Sequence, residues 1–321
     1  MAVIGIDLGG TKVAAALFSS EGEPRRREGA ELAGRAGEAV GELLSDVAVR
    51  LQEAAAHDGD TVAGVGVAVP GIYRAGSGTV WAPNIPGWDD FPLVDRLTAA
   101  LPGLAVRVDS DRVCAVLGET WAGAGRGCRN VIFLVVGTGI GAGILAEGRI
   151  LRGAGDAAGA IGWMAVNRPY RAGYRAVGCF EYHASGTGLA GVARARVAGD
   201  PSYEGPLRRP DSHPVTARDV FAAYDGGDPV AAKVVDEAVA YWGMAVANLV
   251  SLYNPERIIF GGGVFGPAIR FLDRIREEAA RWAQPISVTQ VRLEATALGP
   301  DAVLWGAGQL ALDAVPATEG E

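Results

Sequence analysis

Cysteine is scarce in this chain: 321 residues hold three, Cys114, Cys128 and Cys179, far apart from one another. Such spacing suggests no disulfide framework and fits a reducing cytoplasm. Histidine is equally rare, and His57, His183 and His213 carry little information, although His183 follows Glu181 closely enough to line a pocket. A long basic run is missing and the net charge is -8, which argues against nucleic acid or an anionic membrane as main partner. No uninterrupted apolar run reaches membrane-spanning length. The N-terminus has neither a basic leader region nor an A-x-A cleavage site, so a cytoplasmic protein is expected. What the chain does have is hydrophobic mass: 49% of it is apolar, enough for two cores, and its length makes two domains the expectation.

The first twelve residues organise the rest. Apolar side chains run from Ala2 to Ile6, Asp7 follows, and the backbone must turn at Gly9 and Gly10. Glycines let main-chain N–H groups approach an anion that a Cβ would hold off. Thr11 adds a hydroxyl donor, and Asp7 can hold Mg²⁺ through water, because that hard ion keeps most of its hydration shell. Lys12 leads into a second apolar strand, Val13 to Phe18, so the element reads as a β-hairpin with a phosphate-sized turn. Taken alone it fits an ordinary tight hairpin equally well.

Farther along, apolar spacing predicts an amphipathic helix over 38–56 and a buried strand over 62–69 closed by Pro70-Gly71. Arg25 to Arg27 read as a solvated strand edge. The loop from Trp81 to Trp88 mixes aromatic and polar side chains, which suits either the wall of a polyol site or a surface loop packing its tryptophans. A strand over 104–108 ends in Asp109-Ser110-Asp111, followed by a helix over 113–121. A carboxylate at such a junction is well placed as a base, and it can also cap the helix. The segment Val131 to Ile144 then repeats the opening, with strand, turn Gly137-Thr138-Gly139 and strand. Two such hairpins, each opening one half of the chain, point to an internal duplication with a ligand cleft between the halves. Residues 199–215 read as an exposed loop, Thr216 with Asp219 as a helix start, and Asp228-Pro229 as the opening of a long helix to Tyr253. A strand over 257–260 runs into Gly261-Gly262-Gly263, where the adenosine end of a nucleotide can lie close to the backbone. A last helix is expected over 301–312 and a frayed tail over 316–321.

With these motifs in hand the chain resembles the ROK family of bacterial sugar kinases and sugar-responsive repressors, within the actin/hexokinase superfamily. The resemblance rests on Asp7-Leu8-Gly9-Gly10-Thr11-Lys12, Val69-Pro70-Gly71, Pro83 to Trp88, Gly137 to Gly141, Asn254-Pro255 and Gly261 to Gly263, spread over nearly the whole length. It implies an α/β fold of two actin-like (ribonuclease H-like) domains with mixed sheets flanked by helices and a cleft between them. Residues 1–112 would form the first, completed by a C-terminal helix over 301–315, and residues 113–300 the second. It implies ATP with Mg²⁺, a small polyol acceptor and a homodimer. The repressor branch carries an N-terminal helix-turn-helix; here Met1 leads directly into a strand, so the kinase branch is expected. By the family pattern, Asp111 of an Asn-Asp-x-Asn motif is the base, with Ser110 and Val113 in the two Asn positions. Asp7, Gly9, Gly10, Thr11, Lys12, the Gly137-Thr138-Gly139 turn and Gly261 to Gly263 would bind ATP. Gly71, Asn84, Ser110, Asp111, Trp163 and Glu181 would meet the acceptor.

The departures concern that acceptor. Family sugar kinases have Glu-x-Gly-His where this chain has Ala160-Ile161-Gly162-Trp163. Their Cys-x-Cys-Gly-x-x-Gly-Cys zinc motif is reduced to Cys179, with Tyr170, Arg171 and Arg175 nearby, so no structural zinc is expected. A site built to hydrogen-bond a hydroxyl loses heavily when that pair is missing. The expected acceptor is therefore a modified sugar or cyclitol-like pseudo-sugar. Trp163 either stacks on it or packs in the core. Arg168, Arg171 and Arg175 either meet an anionic substituent or form a solvated loop. Two rival readings remain: an ordinary glucokinase, and a binding protein that kept the fold and lost turnover.

Overall fold

The computed structural model describes residues 1–210 and 212–315; the tail expected to fray, 316–321, lies outside the described residues. Strand-forming runs build a first sheet from the N-terminus. Ala2–Leu8 (β1) and Lys12–Ser19 (β2) are almost wholly buried and pair antiparallel, with Asp7 opposite Ala14. Pro24–Glu31 (β3) closes that edge and turns Arg25, Arg26 and Arg27 to solvent, as charged edge strands do. Helix α1 (Glu38–His57) buries Val40, Leu44, Val47 and Leu51 along one stripe. Val62–Val69 (β4) returns parallel to β1. A short ribbon of Ile72–Arg74 (β5) and Thr79–Trp81 (β6) precedes α2 (Leu93–Ala100) and β7 (Ala105–Ser110), which is parallel to β4. The sheet order is β3-β2-β1-β4-β7.

After α3 (Asp111–Ala122) the pattern repeats. Val131–Val136 (β8), Ile140–Ala146 (β9) and Arg149–Ile150 (β10) form an antiparallel meander. Helices α4 (Tyr174–Val177), α5 (Cys179–Ala184), α6 (Gly186–Ala198), α7 (Ala217–Asp225) and α8 (Pro229–Tyr253) follow. Arg257–Gly261 (β11) pairs parallel with β8; then come α9 (Leu272–Ala280), α10 (Pro285–Gln290), β12 (Arg292–Ala295), parallel to β11, and α11 (Ala302–Leu312). The order β10-β9-β8-β11-β12 matches the first sheet strand for strand, two antiparallel pairings and then two parallel ones. The expected duplication is thus present in the topology.

The sheets are joined through two helices. α11 packs on β1 and β4, α3 packs on β8 and β9, and the two helices lie against each other. Their contact is so close that a Cβ on Gly306 would sit 1.6 Å from the Cys114 carbonyl oxygen; only glycine fits there. Glu119 of α3, fully buried, fastens this layer to the segment after β12. Its carboxylate accepts the Ala124 and Leu298 N–H groups at 2.7 and 3.1 Å and the Thr296 hydroxyl.

In the loop 81–88 the packed-tryptophan alternative holds for Trp88: it is buried, stacks on Phe91 at 4.4 Å between ring centres and donates to the Gly37 carbonyl at 3.0 Å. The expectation of an exposed loop over 199–215 is corrected at Tyr203, Leu207 and Val215, which are buried; the Tyr203 hydroxyl accepts the Leu207 N–H at 3.1 Å and donates to the Asp228 carboxylate at 2.8 Å. Asp228 also caps α8, accepting the Val230 and Ala231 N–H groups at 3.0 and 2.8 Å, and Thr216 forms a capping box with Asp219.

Candidate active site

In the first sheet Asp7 lies opposite Ala68, and Ala68 opposite Asp109, so the parallel strands β1, β4 and β7 end together at one rim. That rim is where open α/β sheets bind ligands. The turn at Gly9, Gly10 and Thr11 leaves the sheet there, closed by the Gly9 N–H donating to the Lys12 carbonyl at 2.9 Å. The Asn84 side chain leans on it, with its amide nitrogen 3.0 Å from where a Cβ on Gly10 would stand. Gly71, at φ +128°, holds the start of the β5–β6 ribbon against the Trp81 carbonyl. Asp7 is half-buried. Burial first, and the Asp111 charge second, push its carboxyl up to about 7, while the Lys12 ammonium opposes them.

The two aspartates around Ser110 have different partners. Asp109 is buried and tied to a cation, with its Oδ2 accepting from Arg152 Nε at 3.1 Å and Nη2 at 2.5 Å. Asp111 accepts a backbone N–H instead, from Arg112 at 2.7 Å. Burial holds its carboxyl above the ordinary carboxylate range; that bond and the Arg112 charge work the other way. Neither side chain caps α3, whose N-cap is the buried Ser110. Burial raises both carboxyls, and of the two Asp111 has the character of a base, because among the described residues it has no ion pair to compete.

The second rim is built alike. The Gly137 N–H donates to the Gly139 carbonyl at 2.9 Å across the β8–β9 turn. Glu181 of α5 reaches this turn, accepting the Ile140 N–H at 2.6 Å, with its Oε2 2.7 Å from the place of a Cβ on Gly139. Burial raises its carboxyl. Beside the turn opens a cavity of about 750 Å³ that joins Gly137 and Thr138 to Gly263. Gly261 and Gly262 are not among its lining. A Cβ on Gly261 would strike the Phe133 ring at 2.4 Å, and Gly262, at φ +89°, packs on the Val136 carbonyl. Sequence reading missed the other wall of the cavity, Gly186, Thr187, Arg194, Arg218 and Phe221. Its signal was Ser185-Gly186-Thr187-Gly188, a capped helix start in which Ser185 accepts the Gly188 N–H and Thr187 donates to the Thr138 carbonyl at 2.7 Å.

Trp163 lies on a 3₁₀ turn (Ile161–Trp163) and is 57% exposed, so it does not pack in the core. Arg168, Arg171 and Arg175 are exposed. Counting back from Cys179, the first two cysteine positions of the zinc motif hold Ala172 and Tyr174. The Tyr174 hydroxyl is bonded to His183 Nε2 at 2.7 Å, and His183 stacks on Tyr241 at 4.7 Å. His183 is therefore a buried packing residue, whose proton affinity burial lowers. Among the described residues no group of three His, Cys, Asp or Glu side chains is placed to hold a metal ion.

The ROK family profile matches residues 3–314. A glucokinase of Halalkalibacterium halodurans is 35% identical over 320 residues, covering 96% of this chain and 94% of the relative. The crystal structure of a ROK family glucokinase from Streptomyces griseus in complex with glucose and AMPPNP is similar at TM-score 0.75 and 32% identity, over 98% of this chain and all of the other. A ROK hexokinase from Thermus thermophilus superposes with TM-score 0.79 at 30% identity, over 97% of both chains. With a profile spanning almost every described residue and relatives matched end to end, this chain belongs to the ROK family.

Proposed function

We propose that the protein is an ATP-dependent kinase that transfers the γ-phosphoryl group to a hydroxyl of a sugar or sugar-like polyol. The observation that carries this reading is Asp111: a half-buried carboxylate that, among the described residues, is ion-paired with no cation, at the rim that also holds Asp7 and the Gly9–Thr11 turn. The acceptor hydroxyl gives its proton to Asp111 as its oxygen bonds to the γ-phosphorus. The bond from that phosphorus to the bridging oxygen breaks, and ADP leaves. Catalysis of such a transfer is mostly positioning and charge stabilisation. Asp7 offers the hard oxygen donor that suits a hydrated Mg²⁺, held through water. That ion, when bound, would neutralise phosphate charge. Backbone N–H groups of both glycine turns hold the phosphates, and the cavity beside Gly137 and Gly263 takes the adenosine end.

Asn84, Ser110, Glu181 and the exposed face of Trp163 surround the acceptor. Ala160 and Trp163 remove two hydrogen-bonding groups and add an indole face, which favours an acceptor other than plain glucose, a modified sugar or cyclitol-like compound. The chain divides into 1–112 completed by 301–315, and 113–300, working as a homodimer in the cytoplasm without structural zinc. ADP release measured over hexoses, amino sugars and cyclitols tests the reading. Turnover is expected with at least one acceptor, and poorer turnover with glucose. Nucleotide binding with no turnover on any acceptor would make the protein a binding homologue, and efficient glucose turnover would make it an ordinary glucokinase.

A further inference from the structure

Arg112 follows the base at the second position of α3, and the mechanism above makes no use of it. Its Nε and Nη2 atoms are buried and, among the described residues, have no hydrogen-bond partner. A guanidinium carries five donors and no acceptor, and buried donors in native proteins are nearly always paired. Leaving them bare is costly, so the site is built to receive something that accepts.

The surroundings indicate what that is. The Arg112 carbonyl abuts Gly143 of β9, and its side chain runs along the same strand, its Cδ 3.8 Å from the place of a Cβ on Gly141. The Gly159 carbonyl oxygen lies 3.9 Å from that same point. Gly159 precedes Ala160, where the family motif has a carboxylate for sugar hydroxyls. On the acceptor side, then, this chain has lost an accepting side chain and holds an unpaired donor fork close by. A neutral polyol suits the carboxylate of the family motif; an oxyanion suits the donor fork present here, because a guanidinium binds carboxylate or phosphate through two parallel bonds.

Resting on the kinase reading of the same site, we propose that Arg112 reads an oxyanion on the acceptor, so that the substrate is an acidic sugar, bearing either a carboxylate or a phosphate ester. Titration calorimetry tests this on the full chain with Mg²⁺ and a non-hydrolysable ATP analogue, using glucose, gluconate, glucuronate and glucose 1-phosphate as ligands. At least one acid is expected to bind about 10- to 100-fold more tightly than glucose, the range of a charged hydrogen-bonded pair. The carboxylates and the phosphate ester tell the two sources of oxyanion apart. In Arg112→Ala that preference for the acid should collapse. In Arg112→Lys it should be partly kept, since the charge remains and the fork is lost. Thermal melts check that each variant folds, and the Lys variant carries the test if the Ala variant does not. Acids binding no better than glucose would overturn the proposal. So would a preference that survives in both variants, or an equal loss for acid and neutral ligands, which would assign Arg112 to the nucleotide phosphates. ADP release run in parallel separates the two claims. Acid binding through Arg112 without ADP release would end the kinase reading and leave this one standing. Turnover of neutral sugars with no acid preference would do the reverse.

Discussion

The two glycine hairpins share a backbone and differ in what faces it. At the first, the carboxylate two residues before the turn belongs to the strand itself, Asp7, and a side-chain amide, Asn84, leans on the bend. At the second, the matching position is Val135, and the carboxylate arrives from a helix, Glu181, held by the Ile140 N–H. The first rim adds Asp111; the second opens onto a cavity of about 750 Å³. Duplication copied the strands and bends, and the chemistry was written separately on each copy. On this reading the first rim reacts and the second holds, so damage at each should register in a different quantity.

The largest effect is expected at the reacting rim. Asp111→Asn should lower kcat by about 10³-fold, within the range for a lost general base, with affinity for an ATP analogue little changed; steady-state kinetics and calorimetry check this. At the holding rim, Gly262→Ala places a side chain at φ +89° and 2.5 Å from the Val136 carbonyl oxygen. It should cost on the order of 1–3 kcal/mol of stability in denaturant unfolding and weaken nucleotide binding as well. Gly263→Ala has nothing within 4 Å of the new Cβ, so it should weaken nucleotide binding alone. Equal stability losses in the two variants would erase the distinction drawn between those glycines.

Much of this was legible from local rules. The two hairpins, α1, and α8 with its Asp228-Pro229 start fall where periodicity and capping chemistry put them, within a residue or two at the ends. What escaped depends on contacts distant in sequence. α10 buries no residue and β12 has four residues, too little pattern to detect. Trp88 reads as a loop aromatic until Phe91 and Gly37 are seen around it. Asp109 and Asp111 look equivalent until Arg152, 43 positions away from Asp109, takes one of them. Arg112 is one more charge in a helix's first turn until β9 is packed against it.

Smaller effects sharpen the contrast. Glu181→Gln keeps an oxygen for the Ile140 N–H and removes the charge; acceptor KM should rise about tenfold, with kcat and nucleotide affinity moved less, the size of one charged hydrogen bond. Asp7 should be visible in the pH dependence of stability. Its folded carboxyl titrates at about 7 against an ordinary 3.8, so the folded state holds the proton more tightly. The resulting stability is complete below the ordinary value and is lost as pH rises through about 7. Melting temperature of the ligand-free protein should fall from pH 5 to pH 8, and Asp7→Asn should flatten that slope. A steeper fall in the variant would reject burial as the cause of Asp7's raised carboxyl.

One measurement bears most directly on the division of labour between the rims: ³¹P NMR of the protein with MgATP and the acceptor panel, run beside Asp111→Asn. The expected result is a phosphomonoester resonance growing one for one with ADP in the wild type and absent in the variant over the same time. Inorganic phosphate as the sole product, or an ester formed as fast by the variant, would contradict it.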